Sequence, residues 1–275
     1  MKIKMVVTDL DGTLMNAGQE ISTQDIETLH FLARQKIIRV IATGRSLYSA
    51  NKVLDANLPI DYLIFSSGAG IQSWPDKKII NEHHLPEEQV TRIRNYFMDQ
   101  QIDFMVHKTI PENHHFYYHQ TTPVNPDFDR RIAIFQPFAA PLMTSTVVKN
   151  ACQFVAIIPD HVISFEQICH DLPELTVIRT TSPLDKQTLW IEIFPGHVSK
   201  GQAAAWLCRQ HHIDHSQVVS LGNDYNDLDL LQWSGHSYVV EDAPPELKDQ
   251  FRVIPGGSGS PFSMAVSDAL GSKPK

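Results

Sequence analysis

Near-continuous apolar segments that alternate with helical ones most strongly restrict the fold of this chain. Residues 3–9 (IKMVVTD), 37–44 (IIRVIATG) and 62–68 (YLIFSSG) are predicted strands, and 22–35 and 46–58 are predicted helices between them. Strands that are apolar without alternation are typical of a parallel sheet covered by helices on both faces. The first 80 or so residues therefore predict the start of an α/β domain.

The same alternation returns near the end of the chain. The predicted elements there are a helix at 200–212, a strand at 218–222, a helix at 227–234 and strands at 237–241 and 251–255. Both ends of the chain are therefore expected to build one sheet.

The middle of the chain has a different pattern. Its predicted elements are helices at 86–100 and 164–172 and strands at 102–107, 114–120, 153–159 and 175–181. Two strands in close succession favour antiparallel pairing. We predict an α/β fold with a Rossmann-like parallel-sheet core domain, residues 1–82 and 188–275, and an inserted α+β cap domain, residues 83–187.

Composition excludes several classes of protein. The net charge is −8, which argues against nucleic acid as a partner. We find no apolar run of about 18 residues, so no membrane span is predicted, and no signal-peptide pattern. The three cysteines, Cys152, Cys169 and Cys208, are far apart and form no CxxC pair. This favours a reducing compartment, and we expect a cytoplasmic protein.

Four polar clusters follow predicted strands. They are Asp9/Asp11/Thr13, Thr43-Gly44-Arg45, Ser66-Ser67-Gly68 and the turn from Asn223 to Asp227, with Lys200 starting a helix before the last of these. Ligands of open α/β sheets bind beyond the carboxyl ends of the strands. Each cluster alone is ordinary, and their shared position is what predicts a site.

The Asp9/Asp11 pair has a specific chemistry. Two carboxylates two residues apart leave a strand in the same direction and repel each other. A divalent cation relieves this repulsion, and oxygen ligands suit Mg²⁺. A carboxylate held in this way can attack phosphorus, and the second one can transfer protons.

Together these segments resemble the haloacid dehalogenase (HAD) superfamily, and most of all its Cof-type phosphatases with an α/β cap. The resemblance is carried by DLDGTL at 9–14, ATGRS at 42–46, Lys200 after IEIFPGHVS, and LGNDYNDLDLL at 221–231. It implies Mg²⁺ as cofactor. The implied catalytic residues are Asp9 (nucleophile), Asp11 (general acid/base), Thr43 and Lys200. The implied metal ligands are Asp9, Asp11, Asn223 and Asp227. The implied phosphate- or substrate-binding residues are Gly12, Thr13, Gly44, Arg45, Ser67, Gly68 and Asn226.

Two positions depart from the pattern of the resembled family. Asn223 stands where the family usually has a metal-binding Asp, and Ser67-Gly68 stands where many members have Asn-Gly. An amide oxygen can bind Mg²⁺ but brings no charge, so we predict weaker metal binding than with Asp, with Asp227 or Asp224 as candidates to compensate.

The resemblance implies a phosphatase that hydrolyses a small phosphorylated metabolite through an aspartyl-phosphate, as a monomer or weak homodimer. A phosphomutase is an alternative, with Arg130, Arg131 and Arg179 as candidates for a second phosphate, and a non-catalytic phospho-ligand sensor is another. The His115/His119 pair has strand spacing, but two histidines are a weak zinc signal, and a strand surface or pocket wall is favoured.

Overall fold

The computed structural model describes residues 2–15, 20–158, 163–182, 188–255 and 259–271. The chain divides into two compact units. The core unit comprises Met1–Arg45, Ser49–Asn81 and Ser199–Lys275, and the inserted unit comprises Ser46–Tyr48 and Glu82–Val198.

Strands and helices alternate through most of the described chain. The strands are β1 Met5–Thr8, β2 Ile38–Ala42, β3 Tyr62–Phe65, β4 Gly70–Ser73, β5 Lys78–Glu82, β6 Phe104–His107, β7 Phe116–His119, β8 Ala139–Pro141, β9 Phe154–Ile158, β10 Leu175–Thr181, β11 Leu189–Pro195, β12 Val218–Gly222, β13 His236–Val240 and β14 Arg252–Ile254. The helices are α1 Thr23–Arg34, α2 Leu47–Asn51, α3 Glu87–Asp99, α4 Pro126–Ile134, α5 Phe165–Asp171, α6 Lys200–His211, α7 Leu228–Trp233, α8 Pro245–Lys248 and α9 Pro261–Ala269.

The core unit is built on one sheet with the strand order β14-β13-β12-β1-β2-β3-β4-β5. Pairing is parallel from β14 to β3 and turns antiparallel between β3 and β4. The central strands β1 and β12 are buried along their whole length, as their uninterrupted apolar sequence predicts. This arrangement confirms the predicted Rossmann-like α/β core.

The inserted unit has its own sheet with the order β10-β11-β9-β6-β7-β8. Its strands pair antiparallel except for β7 with β8. One face, with Phe104 and Phe154, packs in a cluster with residues of α3 and α5, and the other face, with Met105 and Val155, packs with Phe128 of α4. The successive strands β6 and β7 form the antiparallel pair that the sequence predicts.

Several predicted elements differ from the observed ones. The helix predicted at 46–58 spans only Leu47–Asn51, and beyond it the Asp55 carboxylate accepts a hydrogen bond from the Asn57 main chain in a local turn. The elements that were not predicted are β4, β5, β8, β11, α4, α8 and α9. Residue 159 of the predicted strand 153–159 lies outside the described residues.

The boundary of the inserted unit also needs correction. The prediction returned the chain to the core at residue 188, but β11 pairs with β9 and β10 in the sheet of the inserted unit. The core resumes at Ser199. Residues 183–187, the last of the predicted cap, lie outside the described residues.

Candidate active site

The candidate site lies at the carboxyl ends of four neighbouring core strands. Asp9 follows β1, Thr43 follows β2, Ser67 follows β3 and Asn223 follows β12. These strands are adjacent and parallel, so their ends meet at one edge of the sheet. Lys200, the first residue of α6, completes the set.

Lys200 is held between two carboxylates in the interior of the core unit. Its Nζ lies 2.7 Å from Asp9 Oδ1 and 2.7 Å from Asp227 Oδ1. The Lys200 side chain is 0% exposed, and those of Asp9 and Asp227 are 6% and 0% exposed. A buried charge is stable only when it is paired, so the three groups depend on each other.

The pKa values in this triad are displaced from their ordinary values. Burial raises the pKa of Asp9 to about 7, Lys200 opposes this, and the carboxylates of Asp227 and Asp11 add to it. Burial alone would lower the pKa of Lys200, but Asp227 and Asp9 outweigh it and hold that pKa above its ordinary value. One ammonium between two carboxylates leaves excess negative charge, which favours a cation nearby.

One oxygen of the proposed nucleophile has no partner. Asp9 Oδ2 is buried and accepts no hydrogen bond within the described residues. Thr13 Oγ1 in the same turn is also buried and has no hydrogen-bond partner among these residues. Lys200 fixes the other Asp9 oxygen, so the carboxylate has a defined orientation. The free Oδ2 atom is available to a reacting phosphorus or to a metal ion.

Arg45 binds the second aspartate. Its Nε and Nη2 donate to Asp11 Oδ2 and Oδ1 at 2.7 and 2.6 Å, a bidentate pair. The hydrogen bonds to Asp11 raise the pKa of the Arg45 guanidinium above its ordinary value. Arg45 was predicted to bind phosphate or substrate, whereas in the structure its guanidinium binds both oxygens of Asp11.

The predicted substrate-binding residues divide into two groups. A Cβ added at Gly44 would lie 3.5 Å from Ser67 Oγ and 3.6 Å from Asn226 Nδ2, so these three residues surround one small space. Gly68 has φ +108°, and a Cβ there would lie 2.2 Å from the Ser199 carbonyl oxygen. The absence of a side chain at Gly68 thus lets this turn pack closely on the start of α6, which favours a packing role over the predicted substrate-binding role.

Asp227 organises the turn at the end of β12. Its Oδ2 accepts hydrogen bonds from the main-chain N–H groups of Asn223 and Asp224 at 3.0 and 3.3 Å. Its Oδ1 accepts from Lys200. Asp227 was predicted as a metal ligand, but both oxygens already have donors, which favours a role in orienting the turn and Lys200.

Asn223 connects this turn to the one after β1. Its Nδ2 donates to the main-chain oxygen of Asp11 at 2.9 Å. Gly12, with φ +74°, makes room for this contact, because a Cβ there would lie 2.7 Å from the same Nδ2.

The residues present fit a magnesium ion by their donor chemistry. The unpartnered Asp9 Oδ2, the main-chain oxygen of Asp11 and the side chain of Asn223 provide oxygen atoms around one region. Within the described ranges, no group of three or more His, Cys, Asp and Glu side chains is arranged to hold a metal. That result is consistent with a site in which one ligand is a carbonyl and another an amide.

Two residues that fix the start of α6, Ser199 and Asp229, were not predicted from the sequence. Ser199 caps the helix by accepting from Gln202 N, and Asp229 Oδ2 accepts from Gly201 N at 2.9 Å. Both fix the helix end that carries Lys200. The sequence signal for Asp229 was its position two residues after Asp227. Its partner Gly201 is 28 positions away in the chain, so the contact could not be predicted.

Two of the three arginines considered for a second phosphate, Arg131 and Arg179, lie on different faces of the sheet of the inserted unit. Arg131 on α4 lies over the Trp190 and Phe135 rings. Arg179 pairs in register with Ile191, so it points to the opposite face of the sheet from Trp190.

Among the described helices, none is both long and apolar enough to span a membrane.

Comparison with known proteins finds similarity to hydrolases and phosphatases. A family model described as haloacid dehalogenase-like hydrolase matches residues 6–256. A 5-amino-6-(5-phospho-D-ribitylamino)uracil phosphatase of Bacillus subtilis (strain 168) is 22% identical over 263 residues, covering 90% of this chain and 91% of that protein.

Solved structures share the fold across the whole chain. A phosphatase of the haloalkanoate (HAD) enzyme superfamily from Bacteroides thetaiotaomicron matches with a TM-score of 0.81 at 18% identity, covering 98% of this chain and 96% of that one. A HAD subclass IIB sugar phosphatase matches with a TM-score of 0.75 at 18% identity, covering 98% and 99%.

Proposed function

The chain belongs to the haloacid dehalogenase-like hydrolase family, and on that premise we propose that it is a Mg²⁺-dependent phosphatase of a small phosphorylated metabolite. The observation that carries the proposal is the state of Asp9. Lys200 holds one of its oxygens at 2.7 Å, while the other is buried at the carboxyl end of the sheet and has no hydrogen-bond partner among the residues that the structure describes. This arrangement suits a nucleophile with a fixed direction of attack.

The proposed reaction has two steps. Asp9 Oδ2 forms a bond to phosphorus while the bond from phosphorus to the ester oxygen breaks, and Asp11 gives a proton to the departing oxygen. A water molecule then attacks phosphorus and passes a proton to Asp11. This attack breaks the bond between phosphorus and Asp9, and inorganic phosphate is released. Arg45 orients the Asp11 carboxylate for both proton transfers, because each Asp11 oxygen accepts one hydrogen bond from it and keeps a lone pair for a proton.

The remaining residues supply position and charge. Lys200 offsets charge on Asp9 and on the phosphoryl group, and Gly44, Ser67 and Asn226 border the space proposed for that group. We propose that Thr43, which precedes Gly44 at the end of β2, donates a hydrogen bond to the phosphoryl group. Mg²⁺, when held by Asp9, the main-chain carbonyl of Asp11 and Asn223, supplies positive charge that stabilises the transferring group.

The names of two relatives support a proposal for the substrate class. One acts on a phosphorylated ribityl compound and another is a sugar phosphatase, as their names state. We propose a phosphorylated sugar, polyol or similar phosphomonoester, with the inserted unit determining which one is accepted.

Phosphate release from a panel of phosphosugars, phosphorylated polyols, nucleotides and cofactor phosphates, with and without Mg²⁺, tests the proposal. Asp9→Asn is expected to lower turnover by roughly a thousandfold or more, because the nucleophile is lost. Asp55→Asn, an exposed aspartate of the core unit, is the matched control and should leave turnover unchanged. Acid-quenched wild-type enzyme should carry a phosphoryl group on the peptide containing Asp9.

Two results would contradict the proposal. Undiminished turnover by Asp9→Asn would exclude the covalent mechanism. Binding of phosphorylated compounds without any release of phosphate would instead favour the ligand sensor.

A further inference from the structure

Asn223 makes a hydrogen bond that an aspartate in its place cannot make. Its Nδ2 donates to the main-chain oxygen of Asp11 at 2.9 Å. An ionised carboxylate only accepts hydrogen bonds, so an Asp side chain would face this carbonyl without a donor. Resemblance to the family predicts Asp at this position, and the contact is therefore a property of this chain's own sequence.

The bond joins two segments that are far apart in the chain. Asp11 and Asn223 are 212 positions apart, and the turns that carry them follow the neighbouring strands β1 and β12. Gly12 has φ +74° and lacks the Cβ that would lie 2.7 Å from Nδ2. The turn after β1 is thus shaped to admit the amide.

The remaining contacts of Asn223 fix its main chain. Its N–H donates to Asp227 Oδ2 at 3.0 Å, and Asp227 is in turn bound to Lys200. The main chain is therefore anchored, and the freedom left to the residue is rotation of its side chain.

The carbonyl that accepts the amide is an atom the cation would need. We propose that the Asn223 amide replaces the cation as the partner of the Asp11 carbonyl in the metal-free protein, so that Mg²⁺ binding must break this bond. To serve as a ligand of Mg²⁺, the side chain would have to turn and present its amide oxygen.

This mechanism makes two opposed predictions for one substitution. Asn223→Asp removes the donor and adds a negative charge beside Asp9, so the metal-free protein is less stable. The same change removes the competition for the Asp11 carbonyl and adds a charged ligand, so Mg²⁺ binds more tightly. A hydrogen bond to a carbonyl corresponds to a factor of about ten in binding, and the added charge increases this.

The inference rests on the proposed use of Mg²⁺ and is tested without substrate. In EDTA, Asn223→Asp and Asn223→Ala should both melt about 2–4 °C below wild type, because both lose the hydrogen bond. In hydrogen exchange, the main-chain amides of residues 12–15 should exchange faster in both variants. Asn95→Asp, an exposed asparagine of α3, is the charge-matched control and should behave as wild type.

Calorimetric titration with MgCl₂ completes the test. Asn223→Asp should bind Mg²⁺ at least about tenfold more tightly than wild type, and Mg²⁺ should return the exchange of residues 12–15 to a slow rate in this variant. Metal-free Asn223→Ala with wild-type stability and exchange would overturn the proposal, as would equal Mg²⁺ affinity of Asn223→Asp and wild type. Either failure would leave the phosphatase proposal standing, because no phosphate release is measured.

Discussion

Replacement of Lys200 by Met tests whether the buried triad holds the site together. The Met side chain keeps most of the aliphatic length but removes the ammonium that lies 2.7 Å from both Asp9 and Asp227. Since all three side chains are buried, two carboxylates remain without that partner in the interior. Removal of one partner from a buried ion pair costs about 3–5 kcal/mol, so we expect a loss of unfolding free energy of that size.

A double-mutant cycle separates the ion pair from simple packing. Asp9→Asn removes the charge that Lys200 neutralises, so the double variant should lose less than the sum of the single losses, by about 1–3 kcal/mol. Urea unfolding in EDTA measures all four proteins without a metal ion that could compensate. Lys4→Met, at an exposed position, should stay within about 0.5 kcal/mol of wild type.

Two results would refute this reasoning. Stability of Lys200→Met within about 1 kcal/mol of wild type would mean that the triad is not a mutually dependent unit. Strict additivity in the cycle would mean that Lys200 does not act through Asp9.

Three further substitutions test other parts of the structure. His107 is buried and its pKa is lowered to about 3 by burial and by Arg131, so the folded state stays neutral while the unfolded state takes up a proton below pH 6.5. Between pH 7 and pH 5, the wild type should therefore lose about 2 kcal/mol more unfolding free energy than His107→Gln, as measured by urea unfolding. Burial raises the pKa of Asp25, so its stabilising contribution is complete below its unfolded pKa and is lost as the pH rises through its folded pKa. Asp25→Asn keeps an acceptor for Ser263 and should remove this decline in melting scans from pH 4 to pH 7. Gly12→Ala forces a Cβ into contact at φ +74° and should cost about 1–3 kcal/mol in urea unfolding.

Matched changes control these experiments. His30→Gln and Asp242→Asn alter exposed residues of the same types and should leave the pH dependence as in wild type. Gly259→Ala has a similar φ of +68°, but its Cβ would have no atom of the described residues within 4 Å, so it reports backbone strain without a clash. Equal pH profiles for wild type and His107→Gln or Asp25→Asn, or equal costs at the two glycines, would contradict the stated causes.

The architecture of the core was readable from the sequence because its signals are local. Uninterrupted apolar segments such as Met5–Thr8 and Val218–Gly222 can be buried on both faces only inside a covered parallel sheet. The carboxyl ends of parallel neighbours meet at one edge, so the polar turns after them had to lie close together. The candidate residues at Asp9, Thr43 and Asn223 could thus be grouped before their distances were known.

Elements whose identity depends on a partner strand could not be assigned in this way. The apolar alternation of Leu189–Pro195 is the same for a strand of either sheet, and only its pairing with β9 and β10 places it in the inserted unit. The strand β4, Gly70–Ser73, is stabilised by antiparallel pairing with β3, and its short sequence has no pattern of its own.

The sequence by itself was enough to predict the candidate residues Asp9, Thr43 and Asn223, because residue type and position after a strand are written in the chain. Only the tertiary structure decided their partners. Arg45 engages Asp11 over 34 positions, and Asn223 donates to the Asp11 carbonyl over 212. Such contacts depend on how neighbouring strands bring distant turns together, and on side-chain rotation within the space that Gly12 leaves open.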